Sequence, residues 1–367
     1  ALGSYYQRRG LLAKAAEEFR VVASLDGDFL SYFNLGCVLL ELGRYDDAQT
    51  EFERCLALQP GDAASSFELG QIAFLKGQYA AALPQLRLPL QQFPDDWEVH
   101  NLIGSCHLRL GAYDAALEAF GQALQVASDP CSQAQVIELI HAIDRYREFD
   151  ALGGAKDRLY AEQGVIYLGS AQDDGLHIDE FQDYFFTYPD IGATLQRLLA
   201  VMAEFGWQFT SVVALDRQSV PLANVLAELL QVRHCYADAV ELGELPLFVQ
   251  GVGREAELLK LAVERALGPV VTFCLGLNWL RHSMVLPDMI GVVAHGMCSV
   301  PWESELRRLR CDGAAPEQIA ACQQRATEQI LQAMRECPLD AGGAQQVTYY
   351  RHHPNVRFAS LLEPVLA

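Results

Sequence analysis

The stretch NLGCVLLELGRYDDAQTEFERCLALQP (residues 34–60) and the later stretch NLIGSCHLRLGAYDAALEAFGQAL (residues 101–124) read almost as copies of one another. Working outward from them, Gly36, Gly70 and Gly104 stand 34 residues apart, as do Gly43, Gly77 and Gly111. The same interval relates Tyr45, Tyr79 and Tyr113, and Ala48, Ala82 and Ala116. Phe52, Leu86 and Phe120 keep the register, and Pro60 and Pro94 close the first two units. A period of this length marks stacked helical pairs, because one pair cannot bury its apolar face alone. Small residues at Gly36 and Ala48 let two helices approach closely, the aromatic at Tyr45 fills the gap between units, and proline ends the second helix.

This pattern resembles the tetratricopeptide repeat (TPR), a 34-residue helix-turn-helix unit. The opening ALGSYYQRRGLLAKAAEEF fits a fourth unit offset by 33, with Gly3, Gly10 and Phe19 in the signature places. Most of that unit's first helix would precede Ala1, so the chain is expected to be a fragment or to have lost an N-terminal piece. After Ser128 the pattern fades into QAQVIELIHAIDRYREF, an amphipathic helix expected to cap the array. The resemblance implies a groove lined by the first (A) helix of each repeat. Counted from the glycine anchors, that face should show Phe33, Cys37, Leu40, Phe67, Gln71, Phe74, Asn101, Ser105 and Arg109. The family's carboxylate clamp needs Lys and Asn where Phe33 and Cys37 stand, so a clamp of that kind is not expected. Three phenylalanines and a polar end suit an apolar peptide or helix, from a partner or from this chain's own C-terminal half. The alternative is that Phe33, Phe67 and Phe74 pack between A helices.

Composition narrows the partners. The 367 residues carry 27 Lys and Arg against 47 Asp and Glu, a net charge of −20. The excess splits evenly at residue 150, −10 on each side. Such a field repels phosphate backbones and anionic lipid, which argues against nucleic acid and membrane surfaces as partners. No run of Lys and Arg is read as a basic pocket. The longest apolar stretch, residues 268–280, is shorter than the roughly 18 residues of a membrane span. No signal-peptide pattern is read. Ten cysteines without a CxxC pair, in a chain with ample core, read as reduced and mostly buried thiols, which points to the cytoplasm.

The fold class expected is α followed by α/β: an all-α solenoid with its capping helix over residues 1–150, then an α/β domain with a mostly parallel sheet over residues 151–367. The second part alternates short apolar runs with amphipathic helices: VIYLGS, TSVVALD, VRHCYA, LPLFVQGV, PVVTFCLG and MIGVVAH read as strands. DIGATLQRLLAVMAEFG reads as a helix with an N-terminal Asp and a C-terminal Gly, and QQVTYYRHH as a last strand. Ligands of such sheets sit at the carboxyl ends of the strands, here Asp216–Ser219, Gly251–Gly253, Leu275–Asn278 and His295–Cys298. The segment SVVALDRQSVPLANVLAELL (residues 211–230) resembles the first strand, loop and helix of type I phosphoribosyltransferases. That resemblance implies a pyrophosphate loop at Asp216, Arg217, Gln218 and Ser219. The family's signature strand should carry two acidic residues and a Gly/Thr cradle, but its counterpart here, PVVTFCLGLNWL, has neither. The resemblance therefore suggests the fold while the departure speaks against phosphoribosyl transfer.

Other constellations are candidates. His295 follows an apolar strand and precedes Gly296, as in caspase-like peptidases, and Cys274 has the strand context of a nucleophile in VVTFCLG; together they make a candidate catalytic dyad, though in the reverse chain order. Cys311, Cys322 and Cys337 lie in polar or helical surroundings unsuited to a nucleophile. His295-x-x-Cys298 is one pair where a zinc site needs four ligands, so no metal is assigned. Asp173, Asp174, His177, Asp179 and Glu180 precede IDEFQDYFF and read as a solvated loop with a helix cap. Gly251-x-Gly253, followed by Arg254, has the geometry to hold an anion, yet the full GxGxxG is absent and no cofactor is assigned. YYRHHPNVR (residues 349–357) is read as the most basic patch, suited to docking on the acidic solenoid or to a phosphate. The function expected is that of a protein–protein interaction scaffold: a groove for a partner segment joined to a non-catalytic ligand-sensing or docking domain. The alternative is an enzyme with its site at the strand ends, acting on a phosphoribosyl or nucleotide ligand or as a Cys/His hydrolase. A third reading has the C-terminal half merely capping the solenoid.

Overall fold

The computed structural model describes residues 2–254, 256–278, 285–336, 341–358 and 361. Cys337 and the tail of PVVTFCLGLNWL, Trp279 and Leu280, lie outside the described residues. The chain divides into two compact units, Ala1–Ile143 and Asp144–Ala367.

The first unit is helical: α1 (Leu2–Arg8), α2 (Leu12–Asp26), α3 (Phe29–Glu41), α4 (Tyr45–Leu58), α5 (Ala63–Leu75), α6 (Tyr79–Gln85), α7 (Arg87–Gln92), α8 (Trp97–Arg109) and α9 (Tyr113–Val126), followed by α10 (Pro130–Arg147). The period seen in the sequence reaches down to single atoms. Asp28, Asp62 and Asp96 each precede an A helix, and their carboxylates accept the amides of Ser31, Ser65 and Glu98 at 2.8, 2.7 and 2.9 Å. Between the paired helices the turn glycines Gly43, Gly77 and Gly111 adopt φ of 71, 73 and 72°, a left-handed conformation open to glycine. The anchors Gly36, Gly70 and Gly104 are held by contact: an added Cβ would lie 2.9, 2.7 and 2.6 Å from Phe52, Leu86 and Phe120. The opening unit repeats the device, with Gly3 against Phe19 and Gly10 at φ 71°. One unit departs. Pro84 and Pro89 supply no amide, and the second helix of that repeat splits into α6 and α7.

The second unit continues with α11 (Ala155–Gln163), β1 (Ile166–Tyr167), β2 (Glu180–Phe181), β3 (Tyr184–Phe185), α12 (Tyr188–Phe205), β4 (Ser211–Ala214), α13 (Val220–Leu230), β5 (Arg233–Cys235), β6 (Pro246–Gly253) and α14 (Ala256–Glu264). It ends with β7 (Val271–Leu277), β8 (Met289–Ala294), β9 (Cys298–Ser299), α15 (Glu303–Cys311), α16 (Pro316–Glu336) and α17 (Ala341–His352). The main sheet runs β1-β8-β7-β6-β4-β5, with β2 also on β8, and every pairing is parallel. A second, two-stranded sheet joins β3 to β9. Every residue of β6, β7 and β8 is buried, as a sheet covered on both faces requires. One face packs Val212, Val249, Phe273 and Met289 with residues of α12, α13 and α16; the other packs Cys274, Ile290 and Val293 with Leu159 and Leu259.

Three local expectations are corrected. QQVTYYRHH is not a strand: it lies in α17, where Gln346 and Tyr350, four residues apart, are both fully buried on one helical face. IDEFQDYFF forms β2 and β3 rather than a helix, because Phe181, Tyr184 and Phe186 pack ring on ring at 4.7 Å spacing. The cap of α12 is Thr187, not an Asp; Asp190 closes a capping box from the third helical position, its carboxylate accepting the Thr187 amide at 2.9 Å. Gly206 ends that helix as read.

Behind the sheet's edge a polar cage fixes α17. Lys156 donates to the carbonyls of Tyr167 and Gly175 and to Gln346 Oε1 at 3.2, 2.6 and 2.6 Å, and its ammonium lies 4.3 and 4.6 Å from the Tyr349 and Tyr350 ring centres. Tyr350 accepts the Tyr167 amide and donates to its carbonyl.

Two expectations follow from this packing. Gly104→Ala should cost about 1–3 kcal/mol by forcing a methyl into Phe120, whereas Gly121→Ala, which meets open space in α9, should gain up to about 1 kcal/mol; urea denaturation compares the two. Burial pushes the hydroxyls of Tyr160, Tyr167, Tyr349 and Tyr350 well above the ordinary tyrosine range. The unfolded chain then releases protons near pH 10 that the folded chain keeps, so the contribution of these four rings to stability is full below about pH 10 and is lost as pH rises beyond it. The part of the phenolate absorbance that belongs to these buried rings should therefore appear together with the loss of circular dichroism in one alkaline step, whereas absorbance complete before the fold is lost would show that they titrate independently.

Candidate functional site

The repeat unit contributes a row of side chains from α3, α5 and α8. Phe33, Cys37, Leu40, Phe67, Gln71, Phe74, Asn101, Ser105 and Arg109 are all half-buried. The phenylalanines are partly engaged in packing: Phe33 stacks on Phe29 and meets Phe52 edge-on at 5.5 Å, and Phe74 lies 5.3 Å from Tyr79. Phe67 packs against the small core of Ala82, Leu86 and Cys106. At the polar end, the Asn101 side-chain oxygen is buried with no hydrogen-bond partner. Burial, with Glu98 adding to it, raises the Glu68 carboxyl above its ordinary value, and burial together with Glu68 pushes the Cys37 thiol up to about 12. Glu68 was not among the residues read from the sequence as lining this row; nothing in its sequence context marks it as desolvated.

In the α/β unit, the strand order places β4 between β5 and β6, so the chain reverses its winding there and the carboxyl ends of β4 and β6 flank a topological switch point. The loop residues named from the sequence are arranged in two ways. Asp216 and Ser219 tie the two strands together: Asp216 accepts the Ser219 amide and hydroxyl at 2.8 and 2.7 Å, and Ser219 Oγ accepts the Gly251 amide at 2.8 Å. The amide of Gly251, which had the geometry to hold an anion, is thereby consumed. Gly253 gives its carbonyl to the Asn278 amide and has Cys274 Sγ beside it. Arg217 and Gln218, in contrast, line a cleft of about 150 Å³. It adjoins a larger cleft of about 890 Å³ running past Phe185, Phe186, Met297 and Val300 to α15, and the two share Arg254, Glu303 and Arg307. Glu303 accepts from Arg254 through both carboxylate oxygens at 2.7 Å and from Gln218 Nε2 at 2.8 Å. Arg254 also donates to the Cys298 carbonyl at 2.9 Å.

Sequence reasoning missed Arg307, Arg308 and Arg310 on α15. The run RRLR was visible, but its charge was masked by the acidic residues around it.

Cys274 and His295 are not brought together. In the sheet register Cys274 faces Ile290, five residues before His295. The Cys274 thiol is buried and donates to the Gly276 carbonyl, and burial pushes its pKa above the ordinary thiol range; His295 is exposed. The basic segment 349–357 is used within its own unit: Arg351 pairs with Glu204, Arg357 with Asp288, and His353 stacks on Phe149 at 4.2 Å. Neither a phosphate seat nor the acidic solenoid is needed to account for its charge. Asp173 pairs with the buried Arg197, Asp174 with His177, and among the described residues no three metal-type ligands cluster.

Comparison with known proteins bears on the helical half. A family model for the tetratricopeptide repeat matches residues 33–88 and 77–130. The N-terminal region is built of TPR units. Among solved structures, MamA from Desulfovibrio magneticus RS-1 is 22% identical, covering 41% of this chain and 94% of that one at a TM-score of 0.34. YrrB, described as a TPR protein with an unusual peptide-binding site, is 21% identical over 40% of this chain and 74% of its own, at 0.35. PcrH in complex with the chaperone binding region of PopD is 25% identical over 32% of this chain and 90% of its own, at 0.30. No curated protein matches the chain. Among the described residues no helix is long and apolar enough to cross a membrane.

Thiol chemistry tests the placement of the cysteines. Burial raises Cys298 to about 12 and Cys106 to about 11, while Cys131 and Cys311 are exposed. Brief alkylation of the folded chain at neutral pH, read by mass spectrometry, should modify Cys131 and Cys311 and spare Cys106, Cys274 and Cys298; fast labelling of Cys274 would revive the dyad.

Proposed function

We propose that this protein is an interaction scaffold whose TPR units hold an apolar segment of a protein partner along the A helices. In this reading the α/β domain is a non-catalytic module that senses a small anionic ligand at its strand ends or docks a second surface. The observation that carries the reading is the row of half-buried side chains on α3, α5 and α8, mostly apolar in the first two repeats, with Gln71 the exception, and polar in the third. Phe33, Phe67 and Phe74 keep part of their rings available beyond their packing contacts. Asn101 offers a buried oxygen without a donor and Glu68 a desolvated carboxyl, so a partner segment with amide or ammonium donors after an apolar stretch would suit these groups.

A non-catalytic role for the α/β domain is supported by the separation of Cys274 from His295 and by the internal pairing of Asp216, Ser219 and Gly251. The acidic net charge supports a partner other than nucleic acid or a membrane surface. The nine described cysteines are free thiols, which supports a reducing, cytoplasmic setting.

Peptides selected by display on the full chain provide the test. Selected binders should weaken by about tenfold or more with Gln71→Arg and with Phe67→Ala, while circular dichroism confirms that both variants fold. Binders indifferent to both substitutions would place recognition off this row and overturn the proposal.

A further inference from the structure

The two adjoining clefts at the strand ends concentrate positive charge in an acidic molecule. Arg217, Arg254, Arg307, Arg308 and Arg310 line them, and among the described lining residues Glu303 is the sole carboxylate. That carboxylate is well placed to show what the site accepts. Its side chain is 14% exposed, whereas its partners Arg254 and Arg307 are 42% and 75% exposed. It sits where α15 begins and takes both oxygens' worth of donors from Arg254 and a third hydrogen bond from Gln218. Arg307 reaches it at 3.4 Å. Arg254 Nη2 alone serves both oxygens, and the site supplies more cationic groups than one glutamate can neutralise. Beyond Glu303 the larger cleft opens over an apolar wall formed by Phe185, Phe186, Met297 and Val300, with Phe185 and Met297 themselves exposed. A volume of about 890 Å³ is ample for a ring-sized or acyl body.

We propose that this cleft binds a small organic carboxylate with an apolar body, and that Glu303 is an internal stand-in that the ligand's carboxylate replaces on Arg254. The inference rests on the reading of the α/β domain as ligand-sensing and names the ligand class and the switch. Glu303 joins three elements: the β4 loop through Gln218, the end of β6 through Arg254, and α15 through its own backbone. Arg254 extends the link to β9 through the Cys298 carbonyl. An incoming carboxylate seated on Arg254 and Arg307, its apolar body on Phe185 and Met297, frees Glu303 and loosens one of the ties between α15 and the strand ends, while Trp302 keeps its bond to the Gln218 carbonyl at 2.9 Å. No covalent step is involved.

Calorimetric titration of the full chain with 2-naphthoate tests this, with acetate and 2-naphthol as the head and body alone and 2-naphthyl phosphate as the competing anion. Naphthoate should bind one to one, and acetate and naphthol each at least about tenfold more weakly. Glu303→Gln removes the resident charge while keeping its shape and should tighten naphthoate by about tenfold; Arg307→Glu should weaken it by a similar factor. Both should leave the melting temperature nearly unchanged, since Arg307 is exposed and Gln keeps the hydrogen bond from Gln218. Met297→Ser should weaken naphthoate and not acetate. Tighter binding of the phosphate than of naphthoate would overturn the carboxylate assignment. Saturable binding unaffected by Glu303→Gln and Arg307→Glu would overturn this site while leaving a ligand-sensing domain in place. If no anionic probe binds even the Glu303→Gln chain, both readings fall.

Discussion

Parallel pairing forces every strand of the α/β unit to end on the same edge of the sheet, and the rest of that unit is arranged around the consequence. Carbonyls and loop amides from β4, β6, β7 and β8 converge there without any help from sequence neighbourhood. The chain answers in two ways. Next to the switch point, Asp216, Ser219 and Gly251 satisfy one another and close the gap between β4 and β6. One strand further along, the polar groups are met by a glutamate and several arginines brought in from a helix far away in the chain. The first arrangement is structural cement; the second remains open to exchange with solvent and solutes.

Legibility in the sequence followed how local each constraint is. The repeats were readable because the contact that defines them, a glycine against a large apolar side chain sixteen residues on, recurs within each unit and at fixed spacing. The buried strands were readable because a sheet covered on both faces tolerates only continuous apolar runs, and β6, β7 and β8 have them. Where a segment's fate depended on distant partners, the reading failed. α17 looked like a strand because VTYY favours one, yet Lys156, 190 residues before Gln346, holds it as a helix. β2 and β3 are two residues each and exist because β8 and β9 are there to pair with them.

The candidate site divides in the same manner. Arg217 and Gln218 were placed at a strand end by pattern, and they do line a cleft. Glu303, which draws Gln218 and Arg254 together, lies 85 residues from the former and carried no mark of its own. A dyad built from strand context alone met the geometry of register: Cys274 lies in the middle of β7 and His295 just beyond β8, so the two stand well apart along neighbouring strands.

The proline break between α6 and α7 has a kinetic meaning for the TPR units. Neither Pro84 nor Pro89 can donate to the carbonyl four residues earlier, so the second repeat carries fewer cross-turn bonds than its neighbours. In a stacked array each unit leans only on those beside it, and cooperativity passes through every joint in series. A softened joint in the middle divides such an array into two sub-globally opening blocks, so fluctuations that loosen one end are damped before they reach the other.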